Sequence, residues 1–141
     1  MLYAGDILAA SVKYTGTPDD AISLEDRIVT IDGISFTKAI KVYGKNLNNI
    51  NYGIELLGYD FKGATGATLY YGVSCEQSDE LKIYTSGGTD LVITGNGSSE
   101  VTGAANFITA STVRINYSKD GSVSKADDAI FIYGIKFSGN A

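Results

Sequence analysis

Over most of its length this chain alternates apolar and polar residues with a period of two, and that pattern restricts it to sheet. The clearest run is the last: Ala129, Phe131, Tyr133, Ile135 and Phe137 alternate with Ile130, Ile132, Gly134 and Lys136. Arg27 to Ile31 is a short β-branched run, Asp32-Gly33 reads as a tight hairpin turn, and Ile34 to Tyr43 continues beyond it. Further runs cover Tyr52–Leu57, Ala67–Cys75, Leu81–Thr85, Leu91–Ile93 and Val113–Tyr117. Turn signals recur every ~8–12 residues, the spacing of a sandwich or barrel, and predict about eight to ten strands. The expected architecture is all-β: a two-sheet antiparallel sandwich, jelly-roll-like, with Ile31, Ile40, Leu69, Val73, Ile83, Ile115, Phe131 and Ile135 in its core.

The 141 residues form one expected domain, 1–141, with 1–26 as an N-terminal extension or first strand and short helical turn. Ile7 to Val12 is the expected first strand. Thr17, Pro18 and Asp20 carry a helix-start pattern running to Leu24. Gly95 to Gly103 is the most loop-like stretch, and Gly87-Gly88 reads as a turn. No stretch reaches eighteen apolar residues, and Met1 to Asp6 lacks the basic and apolar regions of a signal peptide. No membrane association is expected. The formal charge of −5 argues against a nucleic-acid partner. A single cysteine, Cys75, excludes an internal disulfide and reads as a small buried hydrophobe.

The chain has no histidine, which removes the commonest general base, zinc ligand and triad partner. Carboxylate-pair chemistry remains, but the acidic residues gather in turns: Asp19-Asp20, Glu25-Asp26, Asp79-Glu80 and Asp127-Asp128. Glu55 differs in lying mid-strand, where an outward-facing polar residue is the ordinary reading. The expectation is a domain without catalysis and without a cofactor. Asp127 and Asp128, with Asp6 or Asp32, are candidate ligands for a structural calcium ion, against the simpler reading of turn polarity.

Ten tyrosines and no tryptophan set the options for binding. Sugar rings stack their C–H faces on aromatic rings, and their hydroxyls need hydrogen-bond partners. Tyr70 and Tyr84 lie on the parity opposite aliphatic runs and are expected to face outward; Tyr43, Tyr52 and Tyr59 are less clearly placed. Lys38, Lys41, Lys82 and Lys136 interrupt apolar strand patterns. They are either a patch for an anionic polymer or protection of sheet edges.

Four segments resemble, in order, the small β-sandwich modules attached to bacterial pectate lyases, including the pectin-binding family numbered 77. They are TIDGISFTKAIKVYG (Thr30 to Gly44), ATLYYGVSC (Ala67 to Cys75), DELKIYTSGGTDLVITG (Asp79 to Gly95) and AIFIYGIKF (Ala129 to Phe137). The resemblance covers roughly residues 28–138. It places Lys38 and Lys41 at the lysines of the family's T-K-R-L-K segment and Lys136 at its final one. The family's arginine is absent at Ala39–Ile40 and its first glycine at Tyr43. It implies a monomeric module that binds a pectic polysaccharide and is linked to the catalytic domain of a secreted enzyme. Together with the strand-borne lysines and outward-parity tyrosines, it makes Lys38, Lys41, Lys82, Lys136, Tyr70 and Tyr84 the expected binding residues. A neutral β-glucan, mannan or xylan ligand, or a structural or adhesive role in a surface protein, stays open at this level.

Overall fold

A computed structural model describes residues 1–45, 47–86, 88–97, 99–121 and 128–139. Its strands are β1 (Leu2–Tyr3), β2 (Val12–Lys13), β3 (Ile22–Ile31), β4 (Ile34–Tyr43), β5 (Asn51–Leu57), β6 (Gly66–Ser74), β7 (Glu80–Thr85), β8 (Gly88–Thr94), β9 (Val101–Ile108), β10 (Thr112–Ser118) and β11 (Ala129–Ser138). One short helix, α1 (Ala4–Ala10), joins β1 to β2. Sheet A has the order β3-β4-β11-β6-β9, with β1 also on β11, and sheet B the order β2-β5-β10-β7-β8. All pairings are antiparallel. From β4 onward the chain passes repeatedly between the sheets, giving 4-11-6-9 facing 5-10-7-8, the strand order of a jelly roll. The sandwich expected from the alternation is therefore the observed fold.

Period-2 patterning builds the space between the sheets. Ile40 and Val42, Leu69 and Val73, Leu81 and Ile83, Val113 and Ile115, and Ile130 and Ile132 all point into it and are buried. All eight expected core residues are buried, but they fall into two clusters. Ile31 and Phe131 belong to the second, which lies on the other face of sheet A with Phe36, Ala39, Tyr70 and Tyr133. A bulge separates Phe131 from Ile135. The β11–β6 register steps from Ile132↔Tyr71 to Gly134↔Tyr70, so Tyr133 is an extra residue and the parity inverts beyond it.

The second cluster is closed by the β3–β4 hairpin. Asp32 (φ 51°) and Gly33 (φ 78°) form its two-residue turn, as expected, with Ile31 opposite Ile34. Pairing of β4 with β11 stops at Ile40, so the distal hairpin is free of β11 and packs Val29, Ile31, Ile34 and Phe36 against the outer side of sheet A. Arg27, in a bulge of β3, reaches Glu100 at the far edge, donates to Tyr133 Oη at 3.2 Å and lies 3.8 Å above the Phe131 ring.

The first 26 residues are built into this arrangement. Where β4 leaves β11, Leu2 and Tyr3 take its place opposite Ile135 and Gly134. Residues 4–10, overlapping the expected first strand at Ile7–Val12, are instead helical, because Ala4 and Ile7, one turn apart, both face the core. The helix expected after Thr17 is a single 3-10 turn, Asp19–Ala21. Thr17 does not cap it; its hydroxyl bonds the backbone of Gly53, and Ile22 onward joins the sheet opposite Val42. The loop expected over Gly95–Gly103 ends earlier, at the start of β9, and Gly87 lies outside the described residues.

Candidate functional site

Of the two outward sheet faces, that of sheet A is capped by its hairpin, and that of sheet B is open. One row of residues crosses sheet B: Val12, Glu55, Arg114, Tyr84 and Thr89, each directly opposite the next. Alternation puts these side chains outward, because Ile54, Ile83, Val113 and Ile115 on the neighbouring positions fill the core. A cleft of about 380 Å³ opens over this row, with Thr112, Ser86 and Gly88 at one end. The β7–β8 turn is held to β10 there: Ser86 N–H donates to the Thr112 carbonyl at 3.2 Å, and the Ser86 and Ser111 hydroxyls are 2.9 Å apart.

Arg114 is the centre of the cleft. Its guanidinium lies between two rings, 3.9 Å from the centre of Tyr14 and 4.4 Å from that of Tyr84. Stacking holds a guanidinium flat without using its N–H donors. Among the described residues Arg114 makes no hydrogen bond or ion pair, and neither does Glu55, its cross-strand neighbour. Tyr84 is fixed at its far end, where Oη accepts from Asn51 Nδ2 at 3.1 Å; Asn51 Oδ1 in turn accepts from Asn116 Nδ2 at 3.1 Å. Asn116 is fully buried, and Gly53 beside it has no room for a side chain: a Cβ there would lie 2.1 Å from the Ile115 carbonyl oxygen and 2.9 Å from Asn116 Oδ1. The cleft thus presents the Tyr84 ring, a fork of donors and a carboxylate uncommitted among the described residues, and two threonine hydroxyls.

The residues expected from sequence are divided between the sheets. Tyr84 lines the cleft, and Lys82 lies on the same outer face, one row away and 3.6 Å from Glu80. Lys38, Lys41 and Lys136 are on sheet A. Lys38 pairs with Asp26 at 2.6 Å, and Lys41 pairs with Glu25 at 3.6 Å and covers the Tyr43 ring. Lys136 is exposed opposite Thr68. Tyr70 is on the outer side of sheet A as its parity required, but the hairpin buries it to 5% exposure, with Phe36 at 5.3 Å. Sequence reading passed over Arg114 and Tyr14. The signal available was an arginine alternating with Val113 and Ile115; no local pattern joins Tyr14 to it.

At one end of the sandwich a buried acidic group surrounds Asp128. The expected calcium partners Asp6 and Asp32 are not part of it: Asp6 follows the strand that pairs with the far end of β11, and Asp32 is at the hairpin tip. Asp127 lies outside the described residues. The carboxylates that approach Asp128 are Glu76 and Asp79, and Lys119 Nζ donates to Asp128 Oδ2 at 3.2 Å. Burial pushes the Asp79 carboxyl up to about 6 and the Cys75 thiol up to about 12.

No family model and no curated protein matches this chain. A solved structure does: the X-ray crystal structure of the tandem CBM51 modules of Sp3GH98, the family 98 glycoside hydrolase from Streptococcus pneumoniae SP3-BS71. The two superpose with a TM-score of 0.58 at 13% identity, over 94% of this chain and 48% of that one. This chain therefore spans about half the length of the tandem structure it matches. At that identity the likeness establishes the fold, a β-sandwich shared with a carbohydrate-binding module.

Proposed function

We propose that this domain is a non-catalytic carbohydrate-binding module that holds an acidic polysaccharide across the outer face of sheet B. The observation that carries the reading is Arg114: a guanidinium against the rings of Tyr14 and Tyr84, in an open cleft, with its donors uncommitted among the described residues. A uronate carboxylate matches that fork in a bidentate pair. Tyr84 offers a ring face to sugar C–H groups, and Glu55, Thr89 and Thr112 offer partners for hydroxyls. Glu55 is the carboxylate of this cleft among the described residues, whereas glycoside hydrolysis uses a pair. The sandwich shared with the tandem modules supports the class. The resemblance to modules of pectate lyases supports pectin as the polymer and a secreted, plant-cell-wall-degrading enzyme, cellulosomal or free, as the parent. Such a module acts as a monomer tethered to its catalytic domain.

One charged contact with a few hydroxyl bonds, less the cost of association, gives weak binding, on the order of 10⁻⁴ M. Affinity electrophoresis in low-ester pectin, high-ester pectin, xylan, β-glucan and mannan tests the reading. Retardation is expected in low-ester pectin, decreasing with added salt and with esterification. Preference for a neutral glycan would overturn the acidic ligand. Retardation by none of these polymers would overturn the module itself and favour an adhesive or structural domain.

A further inference from the structure

At the end of the sandwich where β6 gives way to β7 and β11 begins, three carboxylates share one small space. Glu76, Asp79 and Asp128 each bring an oxygen within 4.8 Å of the others. Asp79 is fully buried and Asp128 nearly so. The Asp79 carboxylate is half used: Oδ1 accepts from the Asp120 N–H at 3.3 Å, while Oδ2 is buried with no partner. Glu76 Oε1 is likewise buried and unpartnered. A buried acceptor left unmade is costly, and a buried unpaired charge more so. The compensating cation within the group is Lys119, bonded to Asp128. Among the described residues, three carboxylates and one ammonium meet here, a net of two negative charges.

We propose that Glu76, Asp79 and Asp128 bind a hard divalent cation of the calcium class, which completes this end of the sandwich. Its charge of two matches the net charge of the described groups. The donors are all oxygens, as such ions require, and two oxygens on one calcium lie at most about 5 Å apart. A soft metal does not fit: the chain has no histidine, and the nearby Cys75 sulfur is a buried thiol 3.7 Å from the Asp79 carbonyl. The loop holding Glu76 and Asp79 is preformed, since Asp79 N–H donates to the Glu76 carbonyl at 3.0 Å and Gly95 N–H donates to the Asp79 carbonyl at 3.1 Å. The ion would tie this loop to the start of β11 and act as a structural clip, separate from the cleft on sheet B.

The test uses the intact chain stripped with EDTA and returned to chelator-free buffer. Calorimetric titration with calcium chloride is expected to show one saturable site per chain. At about 100-fold excess over Kd the thermal midpoint should rise by ~5–10 °C. Glu76→Gln, at a half-buried position, should weaken calcium binding by on the order of tenfold, and Asp79→Asn should abolish it. In metal-free buffer Asp79→Asn should be no less stable than the parent, because it removes an unbalanced buried charge. The proposal is overturned if the parent shows neither heat nor midpoint shift. It is equally overturned if sodium chloride at matched ionic strength gives the same shift, or if both variants respond as the parent does.

Discussion

The guanidinium carbon of Arg114 lies 4.4 Å from the centre of the Tyr84 ring, and that contact joins the two central strands of the open sheet face. Arg114→Ala should lower retention by low-ester pectin about tenfold or more, the loss expected for a charge-assisted bond. Arg114→Lys should recover only part of it, because an ammonium neither stacks nor forks. Lys38→Ala and Lys41→Ala should leave retention within about twofold, since both lysines lie on sheet A, away from the cleft, paired there with Asp26 and Glu25. Affinity electrophoresis of the four variants on one gel decides it; loss on Lys38→Ala with retention on Arg114→Ala would move the site to sheet A.

Gly53 supports the same cleft from beneath. Its missing Cβ leaves room for the Ile115 carbonyl and for Asn116, which positions Asn51 and, through it, Tyr84. Gly53→Ala should cost about 3 kcal/mol or more, at the upper end for overpacking, because the clash is with backbone. Urea denaturation measures it, and a midpoint equal to the parent's would contradict the packing described.

Arg27 locks the covered face of sheet A. Arg27→Ala removes bonds to Tyr133 and Glu100 and uncovers the Phe131 ring. It should destabilise by about 2 kcal/mol and raise the binding of an apolar dye such as ANS, while leaving polysaccharide retention unchanged. A variant with parental stability and no dye binding would show that the hairpin closes without it.

Alkaline pH tests Tyr52, whose buried hydroxyl donates to the Tyr43 carbonyl at 2.5 Å and whose ionisation is pushed up to about 12, chiefly by burial. With a folded-state value above the unfolded one, the folded state keeps its proton longer. The stability this gives is therefore full below pH ~10 and is lost as pH rises towards ~12. Tyr52→Phe should be about 1 kcal/mol less stable than the parent near neutrality, for the lost hydrogen bond. Between pH ~10 and ~12 that gap should close and reverse, by on the order of 2 kcal/mol in total. Parallel urea curves across this range would rule the mechanism out.

Sandwich class, most strand positions and the expected core residues were legible because alternation is a local property, each strand carrying its own record of which side is wet; β9 (Val101–Ile108), whose first residues read as loop, was not. The Asp32-Gly33 turn was legible for the same reason. The failures arose where a distant element changed the meaning of a local pattern. Tyr70 has the parity of an exposed residue, and only the β3–β4 hairpin returning over sheet A buries it. The parity of β11 read continuously through Tyr133, and the bulge that inverts it appears only in the pairing with β6. Residues 4–10, partly within the expected first strand, became a helix because β4 parts from β11 and leaves a space there.

The chain's own residues determined that it has no histidine chemistry, that it folds as sheet, and which side chains are apolar enough to be inside. Tertiary structure alone decided which outer face stays open and which residues meet there. Tyr14, Glu55, Tyr84 and Arg114 come from four separate segments, and Glu76 and Asp79 meet Asp128 about fifty residues later in the chain. The physical reason is that period-2 alternation marks the side of a strand but carries no information about its neighbours; those follow from sheet order, register and bulges, which are settled by packing between segments far apart in sequence.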